Sequence, residues 1–385
     1  MTTGNKTVLI CGASVAGLTL AYWLDRYGYN VTMIEQATGP REGGSPIDIR
    51  GKALDVAKRM GILEQIQEAK IHTEALSFMN AKGRQVASTQ QENWDERPGQ
   101  DIELERAQLV QALYTMVSHR VNFIFQNSIT QIIEKKEEVE VTYREGGVHT
   151  FDYVFGADGL HSAVRRLVFG NEEEFAHYLG MYVGVFSVDT SLGKKNACLM
   201  YNVPGKMACI YSYRQKADAM LVFRSTNKID YNYKNIDEQK QLLANAFDGE
   251  AWQVKKILHT LHHTDQLYFD PVCQIKMPAW TKGRVALVGD AAYCASFLSG
   301  MGITLAMVGA TTLADELVAA NGNHTMAFKK YEEEFRPFVN KMQATVTGAS
   351  KFLVPATRSG IWLRNRLTLL FPLMKYAKRL RKKKK

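Results

Sequence analysis

Three positions near the start of the chain have the residue types and spacing of a phosphate-binding turn. Gly12, Ser14 and Gly17 follow a short apolar run and precede a stretch with helical spacing, in the pattern G-x-G-x-x-G with serine in the middle. The first glycine permits a tight turn, a small middle residue lets a pyrophosphate approach the backbone, and the third glycine lets the helix pack on the strand. A second apolar run ends in Glu35, whose carboxylate could accept hydrogen bonds from ribose hydroxyl groups. The stretch predicts a dinucleotide site; the alternative is a β-α-β unit whose glycines serve packing alone.

Two later stretches repeat this form, with an apolar run that ends in a small residue and an aspartate. One leads to Gly-Ala-Asp-Gly with Asp158, and the other leads to Gly-Asp with Asp290. Asp158 could form a second wall of the nucleotide site or simply cap a helix. Asp290 could accept hydrogen bonds from a polyhydroxyl chain, while the loop holding Gly300 and Gly302 could present helix N–H groups to a polarised oxygen. Ligands of open α/β sheets bind at the carboxyl ends of parallel strands, so three such strand ends together are more informative than each alone.

The elements that must position these residues alternate between strands and helices, which predicts the α/β class. We expect a Rossmann-like domain assembled from discontinuous pieces. Short β-like runs recur at roughly ten-residue spacing in the middle of the chain, which predicts an inserted antiparallel β-sheet domain. The predicted boundaries are residues 1–72, 100–175 and 268–346 for the nucleotide-binding domain, 73–99 and 176–267 for the inserted domain, and 347–385 for a basic amphipathic C-terminal helix.

Composition narrows the function classes. The 385 residues are 46% apolar, enough for about two domain cores, and they contain no apolar run of roughly 18 residues that would predict a spanning helix. The five cysteines are widely spaced and form no C-x-x-C pair, and the nine histidines are scattered, so we predict no disulfide framework and no metal site. No Ser-His-Asp or Cys-His set is apparent, and no signal peptide is predicted. We expect a cytoplasmic protein with reduced thiols.

The net charge of +9 belongs to the tail. Residues 347–385 contain twelve Lys and Arg and no acid, which leaves 36 basic and 39 acidic residues in the rest of the chain. A body with a slight negative excess argues against nucleic-acid binding. Two interpretations of the tail remain open: it packs on the body up to about residue 371, or it contacts an anionic membrane surface through its basic residues together with Trp362, Leu367 and Phe371.

The three ordered motifs resemble those of the class A FAD-dependent monooxygenases, the para-hydroxybenzoate hydroxylase superfamily, and the resemblance extends to about residue 345. Within it, I-D-I-R-G (47–51), E-L-E-R-A-Q-L (103–109), the stretch 274–294 and the basic C-terminal helix look most like the tetracycline destructases, flavin monooxygenases that inactivate tetracyclines. The chain departs from many relatives in two places: the loop after Gly-Asp-Ala-Ala lacks a proline, and Met301 stands where glutamine is frequent.

The resemblance implies FAD as the cofactor and NADH or NADPH as the reductant. One atom of dioxygen would be transferred to an electron-rich carbon of an aromatic or polyketide substrate, with tetracyclines as a candidate. The flavin would carry the chemistry, so no catalytic side chain is implied. The implied roles are FAD pyrophosphate for Gly12, Ser14 and Gly17, adenosine ribose for Glu35, the flavin-side phosphate or ribityl chain for Arg106, FAD and NAD(P)H handling for Asp158, the ribityl and pyrophosphate region for Asp290, and the isoalloxazine for Gly300 to Gly302.

On the substrate side, Arg224 ends an apolar run and could steer a polar substrate; a structural salt bridge is the alternative. Two other functions stay open beside the monooxygenase. One is another flavoprotein of the superfamily, such as a hydroxylase of a simple phenol, a halogenase or a reductase, although the W-x-W-x-I-P stretch expected of halogenases is absent. The other is a non-catalytic, membrane-associated flavin-binding protein. We expect a monomer.

Overall fold

The computed structural model describes residues 6–40, 43–90 and 101–383, with backbone only for 371–383. The chain divides into two compact units. The first unit comprises Met1–Lys70, Ile102–His177 and Cys273–Val346, and the second comprises Ile71–Asp101, Tyr178–Val272 and Thr347–Lys385. The basic C-terminal segment 347–385, expected from the sequence as a separate part, belongs to the second unit.

The two kinds of element are numbered in chain order. The strands are β1 (Thr7–Cys11), β2 (Asn30–Ile34), β3 (Pro46–Ile49), β4 (Ala75–Met79), β5 (Gln85–Gln90), β6 (Ile102–Glu105), β7 (Asn122–Ile124), β8 (Ile129–Glu134), β9 (Val139–Tyr143), β10 (Val148–Phe151), β11 (Tyr153–Gly156), β12 (Ala176–Ser187), β13 (Ala197–Val203), β14 (Lys206–Tyr213), β15 (Lys216–Arg224), β16 (Tyr268–Ile275), β17 (Thr281–Lys282) and β18 (Val285–Leu287). The helices are α1 (Val15–Arg26), α2 (Lys52–Met60), α3 (Leu63–Glu68), α4 (Arg106–Val117), α5 (Ala163–Val168), α6 (Glu172–Phe175), α7 (Ile236–Phe247), α8 (Val254–His263), α9 (Asp290–Tyr293), α10 (Gly302–Ala319), α11 (His324–Leu353) and α12 (Arg358–Lys383).

The first unit is built on a six-stranded sheet with the order β17-β18-β11-β1-β2-β7. The strands from β18 to β7 run parallel, and only the two-residue β17 is antiparallel to its neighbour. The central strand β1 is almost continuously apolar because both faces of a parallel sheet are buried, and Val8, Leu9 and Ile10 are fully buried. The predicted α/β class with a parallel sheet is confirmed.

Helix α10 forms part of the core of the first unit, where it packs against α1. By length and composition it is the one helix in the described part of the chain that could cross a membrane. A core helix of a globular domain passes the same test, and 61% of α10 is buried. Residues such as Leu305, Met307 and Leu313 are apolar because they face protein.

The second unit is built on a seven-stranded sheet with the order β16-β12-β15-β14-β13-β4-β5. The pairs β12–β15, β15–β14, β14–β13 and β4–β5 are antiparallel, and β13–β4 is parallel. Alternate side chains on one face, including Tyr182, Ile210 and Leu221, join Leu243 of α7 and Ile257 of α8 in a single core. The inserted, mainly antiparallel sheet expected from the sequence is confirmed.

Candidate functional site

Four neighbouring parallel strands of the first unit end at one edge of the sheet. The register pairs Cys11 of β1 with Ile34 of β2 and with Gly156 of β11, which in turn pairs with Leu287 of β18. Gly12, Glu35, Asp158 and Asp290 are the residues that follow these strand ends within a few positions. The topology therefore brings together the strand-end residues singled out from the sequence, at the edge where open α/β sheets bind ligands.

Gly12 and Gly17 are required by close approach of the backbone. Gly12 has a φ of +104°, and a Cβ atom placed there would lie 2.5 Å from the carbonyl oxygen of Ala157 and 2.9 Å from Cα of Asp158. A Cβ atom on Gly17 would collide with the carbonyl oxygen of Gly12. The turn after β1 is thus pressed against the turn after β11, which leaves the start of α1 directly at the edge of the sheet.

The start of α1 has polar groups of both signs around it. Oε2 of Glu35 accepts a hydrogen bond from the backbone N–H of Ala13 at 2.8 Å, so this carboxylate lies beside the glycine turn. Arg106 begins α4 and donates from Nη2 to Oγ of Ser14 at 3.0 Å. Within the described residues, no side chain caps α1 and its first turn holds no acid. The positive end of this helix and a guanidinium therefore lie together, an arrangement that favours an anion.

Asp158 holds the start of α5. Its carboxylate accepts hydrogen bonds from Oγ of Ser162 at 2.5 Å and from the backbone N–H groups of Ala163 and Val164 at 2.7 and 3.1 Å. Burial raises the pKa of Asp158 above its ordinary value, and these hydrogen bonds oppose the rise because they favour the charged form. The helix-cap interpretation of this residue therefore holds in the structure, while its contact with a nucleotide stays a prediction.

Asp290 begins α9 directly after Gly289, which has a φ of +69°. A Cβ atom on Gly289 would lie 2.8 Å from Cβ of Ala16 in α1, so the third strand end also reaches the glycine turn. Asp290 as a whole residue is exposed, yet many protein atoms surround its carboxylate, and the resulting desolvation raises its pKa above the ordinary value. The positive charge of Arg106 opposes the rise, so Arg106 acts on groups at two of the strand ends.

Sequence comparison shows the family to which the chain belongs. A sequence model of the family described as FAD binding domain matches residues 5–346. The chain belongs to this FAD-binding family of flavin monooxygenases. A flavin-dependent monooxygenase of Legionella longbeachae is 38% identical over 341 residues, which cover 88% of this chain and 87% of that protein. An uncharacterised protein of Mycobacterium tuberculosis is 40% identical over 346 residues, which cover 89% of this chain and 93% of that protein.

Solved structures agree with the sequence relatives. The tetracycline destructase Tet(55) superposes with a TM-score of 0.84 at 34% identity, covering 96% of this chain and 97% of that one. Tet(51) superposes with a TM-score of 0.83 at 34% identity, covering 95% of this chain and 96% of that one. The predicted fold class and the resemblance to FAD-dependent monooxygenases are confirmed.

The segment between α9 and α10 contains two residues with positive φ. Ser296 has a φ of +78° although it is not glycine and is buried, and Gly300 has a φ of +61°. Such backbone conformations cost on the order of 1–3 kcal/mol for a residue with a side chain and cluster at ligand-binding sites. Gly302 begins α10, so the N–H groups of that helix lie at the end of the strained loop.

Two residues beside this loop were not singled out as site residues from the sequence. A Cβ atom on Gly300 would lie 3.8 Å from Nη1 of Arg50 and 3.8 Å from Oδ2 of Asp48, and these two side chains form an ion pair at 2.7 Å. The backbone N–H of Arg50 donates to Oγ1 of Thr304 in α10, which donates back to the carbonyl oxygen of Arg50. Both residues belong to I-D-I-R-G (47–51), one of the stretches that carry the family resemblance, so that resemblance could have indicated them as site residues.

Arg165 also acquires a defined place. It is almost fully buried and donates to the carbonyl oxygens of Ala291 and Leu160 at 2.9 and 2.6 Å and to Oε2 of Glu172 at 2.9 Å. The sequence alone is compatible with an anion ligand or with a surface residue at this position. In the structure, the buried guanidinium of Arg165 links the Asp158 turn to α9 by donating hydrogen bonds to carbonyl groups of both.

Arg224, predicted to steer a substrate, ends β15 in the second unit. Its Nε donates to the carbonyl oxygen of Val354 at 2.9 Å and its Nη2 to that of Ser350 at 3.1 Å. Two of its five N–H donors thus satisfy carbonyl groups around the end of α11. Its role toward a substrate stays a prediction. Among residues 6–40, 43–90 and 101–383, no group of three or more His, Cys, Asp or Glu could hold a metal ion.

Proposed function

We propose that this protein is an FAD-dependent monooxygenase that uses NADH or NADPH and dioxygen to hydroxylate an aromatic or polyketide molecule, and that tetracyclines are among its substrates. The observation that carries the proposal is the meeting of four strand ends around an uncapped helix start with Arg106 beside it. A dianionic pyrophosphate suits such an edge, because backbone N–H groups and a guanidinium both favour negative charge.

We assign residues of the first unit to successive parts of FAD. In our proposal, Gly12, Ser14 and Gly17 hold the pyrophosphate, and Glu35 holds the adenosine ribose with the acceptor capacity left beside its bond to Ala13. The remaining proposed contacts follow the order of the strand ends: Arg106 with the flavin-side phosphate or ribityl chain, Asp158 with FAD and NAD(P)H handling, Asp290 with the ribityl hydroxyls, and Gly300 to Gly302 with the isoalloxazine.

The protein contributes position and electrostatics, while the bound flavin supplies electron transfer and oxygen activation. The N–H groups at the start of α10 would stabilise negative charge on a polarised ring oxygen. The backbone of Arg50 is hydrogen-bonded to Thr304 in α10, and its side chain pairs with Asp48 beside Gly300, so in our proposal these contacts hold the glycine backbone in place before a ligand arrives. A preorganised loop of this kind costs little reorganisation during the reaction.

The substrate proposal rests on likeness to the destructases and on the apolar side chains of one face of the inserted sheet. Strand register places Met200, Met207, Cys209 and Met220 on the face opposite the α7–α8 core. Thioether side chains are polarisable and adapt to planar rings, which suits a multi-ring polyketide. We also propose that the protein is monomeric and cytoplasmic, as expected from the sequence.

The decisive experiment measures NADH and NADPH consumption by purified FAD-loaded protein with tetracycline, with a simple phenol, and without substrate. Our proposal expects tetracycline to stimulate consumption and to yield a product heavier by one oxygen atom, detected by mass spectrometry. An anaerobic reaction is the control, because it must yield no such product. Stimulation by simple phenols alone would reject tetracycline and keep the monooxygenase. Protein that binds FAD but oxidises neither nicotinamide would favour the non-catalytic alternative.

A further inference from the structure

The outward face of α12 is apolar. Five large side chains on its first part are substantially exposed: Trp362 at 61%, Leu363 at 52%, Leu367 at 43%, Leu369 at 49% and Leu370 at 46%. At about 100° per residue these positions fall within an arc of about 160° on one side of the helix. Leaving so many large apolar groups in water is unfavourable, and a contiguous patch of this kind marks an interaction surface.

The buried side chains on the inward face of the same helix are polar, which reverses the usual arrangement of a surface helix. Arg364 is 5% exposed and Thr368 is fully buried. The Arg364 guanidinium donates to Oδ1 of Asn202 at 2.9 Å and to the carbonyl oxygen of Phe352 at 3.1 Å, and it lies 3.7 Å from the centre of the Phe78 ring. Specific polar contacts therefore fix the rotation of α12 on the second unit and keep its apolar side outward.

Charge decides which occupant fits this face. Residues 347–385 carry twelve basic residues and no acid, and eight of the twelve follow in the sequence from Lys375 onward. Within the apolar arc, the Arg366 guanidinium lies 5.6 Å from the centre of the Trp362 ring, where the long side chain can extend its charge toward lipid headgroups. Trp and Leu beside Lys and Arg are the composition of helices that lie in the interface of anionic membranes.

We propose that the outward face of α12 binds the surface of an anionic phospholipid membrane, with the following basic residues providing electrostatic attraction. Each Lys or Arg near such a surface adds about 1 kcal/mol of attraction, and the apolar arc supplies the insertion that charge alone lacks. A second copy of the chain fits less well, because pairing two such tails would bring two strongly basic segments together. The peripheral membrane interpretation of the tail thus receives a defined surface, and it does not depend on the proposed reaction.

The test uses full-length FAD-loaded protein sedimented with vesicles of pure phosphatidylcholine or with one-third phosphatidylglycerol. In about 0.1 M salt, we expect most of the wild-type protein to pellet with the anionic vesicles and little with the neutral ones. The double substitution Leu363→Ser and Leu367→Ser should weaken this binding by about tenfold or more while flavin content and thermal stability stay unchanged. The matched control is Met326→Ser, which changes a side chain 59% exposed elsewhere and should bind like wild type.

Three results would overturn the proposal. Wild-type protein could stay in the supernatant with anionic vesicles, which would leave the basic tail without the proposed partner. The Leu363→Ser and Leu367→Ser variant could bind as well as wild type, which would reduce the interaction to charge alone. Wild-type protein could elute as a dimer while the same variant elutes as a monomer, which would make the face a contact between copies.

A further variant tests the electrostatic part. Changing the eight basic residues from Lys375 onward to glutamine should weaken binding at about 0.1 M salt, and unchanged binding would contradict that part.

Discussion

Gly12→Ala tests the packing on which the cofactor site depends, and Gly28→Ala is its matched control. Both glycines have positive φ, +104° for Gly12 and +85° for Gly28, so an alanine at either position is strained in its backbone. The surroundings differ. A Cβ atom on Gly12 would meet the Ala157 carbonyl oxygen at 2.5 Å, whereas a Cβ atom on Gly28 would have no atom within 4 Å. The pair therefore separates backbone strain from close approach of two turns.

The magnitudes follow from these two terms. Alanine in a left-handed conformation costs roughly 1–2 kcal/mol, so Gly28→Ala should lower the free energy of unfolding by about that amount. Gly12→Ala adds overpacking against backbone atoms that cannot rotate away, which costs about 1–3 kcal/mol more. A total of about 2–5 kcal/mol does not exceed the usual free energy of unfolding, about 5–15 kcal/mol, so Gly12→Ala should still fold. The collision should be relieved by moving the turn after β1 away from Asp158, which displaces the start of α1.

Urea unfolding of both apoproteins, together with a flavin titration, measures the two effects. Gly28→Ala should lose stability and bind FAD like wild type. Gly12→Ala should lose more stability and bind FAD more than tenfold more weakly, because a shift of one donor pair from its phosphate forfeits charge-assisted hydrogen bonds worth about 1.5–3 kcal/mol. Equal stability of the two variants would refute the close approach, and wild-type FAD affinity in Gly12→Ala would refute the placement of the pyrophosphate.

Three further predictions concern charges and thiols. Arg106→Ala should weaken FAD binding by about 10- to 100-fold, because charge-assisted hydrogen bonds are lost. The control Arg120→Ala removes an exposed ion pair and should leave the FAD affinity, measured by fluorescence titration, unchanged. Desolvation by the surrounding protein atoms raises the pKa of Asp290, so its ionised form opposes folding above that pKa. Asp290→Asn should therefore raise the apoprotein melting temperature at neutral pH, and the gain should shrink as the pH falls through the raised pKa toward the ordinary value. The Sγ atoms of Cys198 and Cys209 lie 3.0 Å apart, so the diazene oxidant diamide should take up their two hydrogens and form a disulfide, seen as two fewer titratable thiols; five remaining thiols would contradict the geometry.

The parallel sheet and its strand ends could be predicted because local signals and topology agree. Each strand of the set is an apolar run that stops at a glycine or an acid, and parallel strands must place these stops at one edge. Gly12, Asp158 and Asp290 were thus predictable as a group although they are far apart in the chain. The individual contacts of these residues were less predictable, because the sequence around Asp158 is compatible both with a helix cap and with a ligand contact.

The contacts of long basic side chains could not be predicted, because their partners are chosen by the tertiary fold. Arg165 could have been exposed or an anion ligand until Ala291, 126 positions later, supplied a buried carbonyl oxygen. Arg224 likewise ends an apolar strand, a place that suits a substrate as well as a helix terminus. Its partner carbonyl groups belong to Ser350 and Val354, and the sequence around β15 does not predict these contacts.

Helix α12 shows how the same limit can hide a functional surface. Spacing along the sequence reveals an apolar arc and a basic content, and the usual inference is that the apolar arc faces the protein core. In the structure, Asn202 and the Phe352 carbonyl group instead bind Arg364 on the opposite side, and the Phe78 ring packs against it. Moving this buried guanidinium would leave polar groups without hydrogen-bond partners, which is unfavourable. The contact therefore opposes rotation of the helix. Arg364 thus fixes the orientation of α12 with its apolar arc outward. This is the arrangement expected of a helix that binds a surface outside the protein, such as a membrane.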